Sequence, residues 1–331
     1  MCPSKKLCLT ASNSNFLCEL QLLFGALCLA LGVIFIKLAH LQPATISFLR
    51  CIIALPFLIL LSAREIKKIP KNSKLEKNLI AWSFISGIVI GIQYIVYAIC
   101  VDITGAGISS ILANCQIFFF PILALLIDKE PISKTFWIFS PILLVGLSAS
   151  AGLLNSKTDG ITDPMLGFTT GMLSGITYAI FLFLNRRCTR KNPRYIITYN
   201  TLATIGAATI CIISAPLMQG FTLNISAISW IWVILLALFA QVLSWIIIAR
   251  GSHKLSPNKA SSLLTTYPIM ALLLGIIFLS ETINTTQAIG CIIVVICVWI
   301  INKEKNNNKS SKQIVINTKI HGEYNGRKNE K

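Results

Sequence analysis

The sequence predicts an all-α integral membrane protein of ten transmembrane helices, arranged as two inverted five-helix repeats. Three observations carry that reading. The chain of 331 residues is 55% hydrophobic and only 12% charged, about half the charge density of an average soluble protein. Its basic residues gather on alternate loops. A short motif recurs about 150 residues further along.

So little charge cannot solvate the surface of a soluble globule, and the mean hydropathy of +0.74 agrees. The same composition excludes a disordered chain or a disulfide-stapled secreted one. A bilayer core about 30 Å thick needs roughly 20 apolar residues per helix. Ten such runs, bounded by charge or by Pro and Gly, fall at 17–38, 43–62, 79–99, 106–127, 136–154, 165–185, 195–216, 227–248, 260–279 and 285–302. They are continuously apolar, whereas barrel strands alternate. The first run is too long for a signal peptide and no small-residue cleavage site follows it, so it is read as a retained helix. Cys28 lacks the small residue before it that a lipoprotein site needs.

The order of segments follows. Residues 1–16 form a cytoplasmic tail, 17–154 the first repeat, 155–164 an external linker, 165–302 the second repeat, and 303–331 a basic disordered tail. With the N-terminus in the cytoplasm, 26 of the 29 Lys and Arg lie on that side, Lys157 lies outside, and Lys37 and Arg50 fall within spans. The positive-inside rule then places both termini in the cytoplasm. A +17 chain invites a nucleic-acid reading, but basic residues spread over alternate membrane loops are topology determinants instead.

Ser109-Ser110-Ile111-Leu112 starts the fourth run and Glu130-Pro131-Ile132-Ser133 follows it. Ser261-Ser262-Leu263-Leu264 and Glu281-Thr282-Ile283-Asn284 stand in the same places around the ninth, offset by 152 and 151 residues. Five helices per half is odd, so the second half crosses the membrane in the opposite sense. Inverted repeats are characteristic of secondary transporters, whose halves rock about a midplane site.

Small residues mark close helix packing. Gly167, Gly171 and Gly175 share one face of helix 6, and Gly146, Ser148, Ser150 and Gly152 repeat the device in helix 5. Pro268, in the middle of helix 9, is a candidate gating hinge. The eleven Cys contain no C-x-x-C pair and predict neither disulfide nor metal.

Membrane-embedded charge points to function. Lys37 and Arg50 qualify; both lie toward the outer ends of their helices, where snorkelling is the alternative. They favour an anionic group. Gln93 with Tyr97, Tyr178 with Asn185, and Gln241 with Trp245 pair up on the faces of helices 3, 6 and 8. Thr266 and Tyr267 precede Pro268. Asn114 and Gln116 lie about 200° apart on a helical wheel, so both cannot point squarely inward. Amides can hydrogen-bond a small polar molecule, and the rings can stack on it or hold a cation.

The chain resembles the EamA-type members of the drug/metabolite transporter superfamily over residues 17–302. The residues that carry the resemblance are Pro43 with Phe48-Leu49-Arg50, the Ser-Ser starts of helices 4 and 9, Pro268 with Glu281 thirteen residues later, and the helix 6 glycines. It departs in helix 4, where Ile117 stands at the expected proline and Pro121 lies one turn on, which displaces any kink. The resemblance implies two five-helix bundles around a cavity lined mainly by helices 1, 3, 4, 6, 8 and 9.

No membrane-centre Asp or Glu offers an ion relay. No phosphate-binding loop offers an ATP motor. No nucleophile–base pair or metal spacing emerges, so neither catalysis nor a cofactor is expected. The sequence thus leads to a transporter of a small polar, amino-acid-like metabolite. Efflux on the same fold is the first alternative, and a non-transporting scaffold or enzyme the second. The expected partners are a small-molecule substrate and membrane lipid, with a homo-oligomer left open. Richness in Ile, Lys and Asn points to an AT-rich bacterial genome, hence to a bacterial inner membrane. The resemblance then suggests S-adenosylmethionine as one candidate substrate.

Overall fold

The computed structural model describes residues 4–70, 76–154, 161–218, 220–221, 224–252, 263–264 and 266–301. Ser261, Ser262 and the basic tail lie outside them. The fold is all-α, with ten helical passes in two five-helix halves. The first half holds α1 (Ser4–Ala39), α2 (Pro43–Lys68), α3 (Lys77–Ala113), α4 (Gln116–Asp128) and α5 (Lys134–Ser150). The second holds α6 (Pro164–Lys191), α7 (Ile196–Ser214), α8 (Ala227–Leu235), α9 (Ser244–Ser252), α10 (Tyr267–Leu279) and α11 (Thr285–Ile301). A π-helical stretch, Leu236–Leu243, joins α8 to α9 in one continuous pass.

Six of these stretches are long and apolar enough to cross a bilayer, and four are shorter: α4, α5, α10 and α11. The short ones occupy corresponding places in the two halves. Helix α3 carries the third pass and the start of the fourth, merged across a kink at Gly105, whose φ of 84° suits glycine. The fourth pass breaks again at Asn114 and Cys115. Hydrogen bonds there close i→i−3, as in Cys115 N–H to Leu112 O at 3.1 Å and Ile117 N–H to Asn114 O at 3.0 Å. This corrects the expected displacement of the kink toward Pro121, which sits inside α4. It also removes the conflict between Asn114 and Gln116, because one wheel no longer runs through both. Pro268 is not in mid-helix either. It stands in the first turn of α10, where its missing N–H costs nothing.

The repeat is visible in the caps. Lys129 ends α4 with φ 53° and Ser280 ends α10 with φ 51°. The next residue, Glu130 or Glu281, turns its N–H back to Ala124 O or Gly275 O. Ser133 then caps α5 by accepting Phe136 N–H, while at Asn284 the Gln287 side chain accepts the cap N–H.

Small residues bring the backbones together. A Cβ on Gly167, Gly171 or Gly175 would collide with Thr104, Leu112 or Cys115, so α6 lies flat against α3 and the fourth-pass break. Gly146 and Ser150 of α5 take Gly290 of α11 in the same way. A third contact, Gly87 and Gly91 of α3 against Ala203, Ala207 and Gly206 of α7, was not expected from the sequence. Each helix carries small residues four apart, Gly87 and Gly91 on one and Ala203 and Ala207 on the other, so the signal was there to be read. Outward-facing Leu17, Phe24, Phe57, Ile138, Ile213 and Ile277 are exposed, as lipid-facing residues are.

Candidate functional site

The bundle has two polar ends. At the basic end, Glu130 pairs with Arg186 and Arg190 of α6, and Arg187 pairs with Asp128. Burial raises the Glu130 carboxyl, but the two arginines outweigh it and hold it below its ordinary range. Glu65 accepts Ile197 N–H at 3.0 Å and Thr198 N–H at 2.8 Å, an anion at the N-terminus of α7.

At the opposite end, Glu281 accepts the N–H groups of Ala106 (2.6 Å) and Gly107 (3.0 Å), just past the Gly105 kink. Lys37 donates to the carbonyls of Val101 (3.2 Å) and Asp102 (3.0 Å), just before it. Each charge has the sign that its helix end favours. The corner between the third and fourth passes is therefore clamped from α1 and from the turn after α10.

Between the ends lies a cavity of about 330 Å³, with walls from passes 1, 2, 3, 4, 6, 8 and 9. Helix α2 supplies Arg50, a wall beyond those implied by the resemblance. Helix α3 supplies Gln93 and Tyr97, the fourth-pass break Asn114 and Gln116, and α6 Tyr178. Trp245 of α9 and Tyr267 of α10 complete the polar and aromatic lining. Tyr97 and Tyr267 hydroxyls meet at 3.1 Å, Gln93 donates to Ser174 at 3.1 Å, and Asn114 donates to Ser110 O at 2.8 Å.

The other four residues singled out from the sequence lie elsewhere. Lys37 serves the corner just described. Asn185 is two turns past Tyr178, toward the basic end, and does not line the cavity. Thr266 caps α10 and bonds Leu263 O at 2.6 Å. Gln241 stands behind Arg50 and accepts from its Nη2 at 2.9 Å.

Arg50 is also not near an outer end. It sits seven residues past Pro43, about 10 Å along the helix, and is 8% exposed. Its guanidinium lies 4.0 Å from the centre of the Tyr94 ring. Tyr94 donates to the same Gln241 oxygen at 2.9 Å, and Gln241 donates to Thr204 at 3.4 Å. Tyr94 was missed from the sequence, although it is one turn from Tyr97. The π stretch that holds Gln241 leaves no sequence signal; such turns recur at functional sites.

Two five-helix halves with matching caps around a shared cavity define an inverted-repeat integral membrane protein. The chain belongs to the EamA-like transporter family, whose model matches residues 16–151 and 165–303. It is 28% identical over 124 residues to an uncharacterized transporter of Archaeoglobus fulgidus, which covers 38% of this chain and 43% of that one. The chain thus spans under half the length of that curated relative. A solved crystal structure is similar over 89% of this chain and 98% of its own, at 14% identity and a TM-score of 0.55, a likeness of fold alone.

Proposed function

We propose that the protein is a secondary transporter that carries a small polar, amino-acid-like metabolite across a bacterial inner membrane by alternating access, with both termini in the cytoplasm. The observation that carries this reading is a cavity at the junction of the repeats, where both the fourth-pass break and the start of α10 contribute lining. Its size suits a small metabolite. The clamp at Glu281 and Lys37 supports closure of that end in this conformation. Of named candidates, S-adenosylmethionine offers a carboxylate for a cation and a sulfonium for ring faces. Orientation rests on the basic loops.

The test is uptake of labelled amino acids and S-adenosylmethionine into proteoliposomes. Saturable counterflow of at least one compound is expected, and the driving gradient sets import or export. No flux across a broad panel sinks the transport reading.

A further inference from the structure

We propose that the cavity selects carboxylates: Arg50 receives the carboxylate of the transported molecule, and the aromatic lining takes its planar or cationic part. This rests on the transport reading and adds the substrate's charge class.

Among the described residues Arg50 lacks an acidic partner: no carboxylate lies within 4 Å of it, and the ion pairs there all belong to the basic end. Its neighbours are uncharged. Stacking on Tyr94 offsets only part of the cost of taking a cation out of water. One amide oxygen does not close that gap. The Nε–H has no hydrogen-bond partner at all, although the side chain is more than nine-tenths buried. A guanidinium that only braced two helices would spend its donors on them; this one keeps donors for the cavity it lines.

The anchoring is one-sided. Gln241 is fixed by Tyr94 and Thr204, so its oxygen holds one Nη2–H and sets the plane of the guanidinium. An incoming oxyanion accepts from the donors that Gln241 leaves unused, with the Nε–H, closed to solvent here, becoming reachable as the guanidinium shifts. Among the described residues Arg50 is the one charged side chain in the lining, and none of them is an acid that could bind a cation. A positive centre on the same molecule would therefore meet ring faces, those of Tyr178, Trp245 and the Tyr97–Tyr267 pair. Gln116 Oε1, also unpartnered, offers an acceptor to an ammonium or hydroxyl.

The test uses benzoate, benzamide and benzylammonium as probes of the purified full chain in lipid nanodiscs at neutral pH, read by thermal shift. Benzoate should bind at least tenfold more tightly than its two analogues. Arg50→Gln should erase that preference, and Arg50→Lys should weaken benzoate about tenfold, because a point charge loses the fork and the stacking. If Arg50→Gln does not fold, the wild-type ratio decides alone. Equal binding of benzoate and benzamide, or no benzoate binding, overturns the proposal. Flux is scored separately. Benzoate-selective binding without flux of any metabolite keeps the anion site and removes transport. Flux that treats carboxylates and their amides alike in wild type and Arg50→Gln does the reverse.

Discussion

Gly175 has no room for a methyl group, because a Cβ there collides with Cys115 Sγ and lies 2.9 Å from the Ala113 carbonyl. Gly175→Ala should therefore cost about 1–3 kcal/mol by overpacking. Gly220 is the contrast: nothing lies within 4 Å of a Cβ, but φ is +80°, so Gly220→Ala should cost only the left-handed strain of roughly 1–2 kcal/mol. Thermal melts in one detergent compare the two. Lys37 carries a different expectation. Lys37→Met removes two charge-assisted bonds to carbonyls, each worth roughly 1.5–3 kcal/mol, yet should leave carboxylate affinity within twofold of wild type. A tenfold loss of affinity would return Lys37 to the binding site. At this scale the sequence was legible in part. Charge inside a span marked both Lys37 and Arg50, but depth along the helix is set by where each helix starts, and Arg50 is the deeper. Tyr94 was hidden because it gains meaning only once α2 places a guanidinium on its ring.

Among the elements, the broken fourth pass and its clamp govern access. Glu281 holds two amides at the start of that pass, and losing the carboxylate should free the corner. Glu281→Gln should raise labelling of a cavity cysteine from the Glu281 side about tenfold, the equivalent of about 1.4 kcal/mol. Unchanged labelling means that the clamp does not hold the gate. The equivalent Glu130 makes ion pairs instead, and these set a pH dependence. Its carboxyl is held below its ordinary value of 4.5. The pairs therefore stabilise the fold above that value and are lost as pH falls through the lowered one. The acid limb of the melting temperature should be shallower in Glu130→Gln; identical limbs would remove this contribution. The sequence marked both glutamates through their 151-residue offset. It could not show that one caps amides and the other pairs with arginines, because those partners come from other helices.

At the scale of the whole molecule, ten spans and an odd number per half were legible because lipid demands long apolar runs and the motif offset fixed the repeat. The helix boundaries were less so. Hydropathy does not register a break such as Asn114–Cys115, because apolar residues run on past it. The cavity was foreseen as an assembly of helix faces, and eight of the twelve residues singled out line it. Alternating access requires that the cavity lined by Arg50 open to each side of the membrane in turn. The direct measurement is labelling of Ala113→Cys, in a background without the native cysteines, by a membrane-impermeant thiol reagent applied to either face of sealed vesicles. Modification from both faces is expected, with Glu281→Gln raising the rate from the Glu281 side. Modification from one face alone, in both backgrounds, would contradict it.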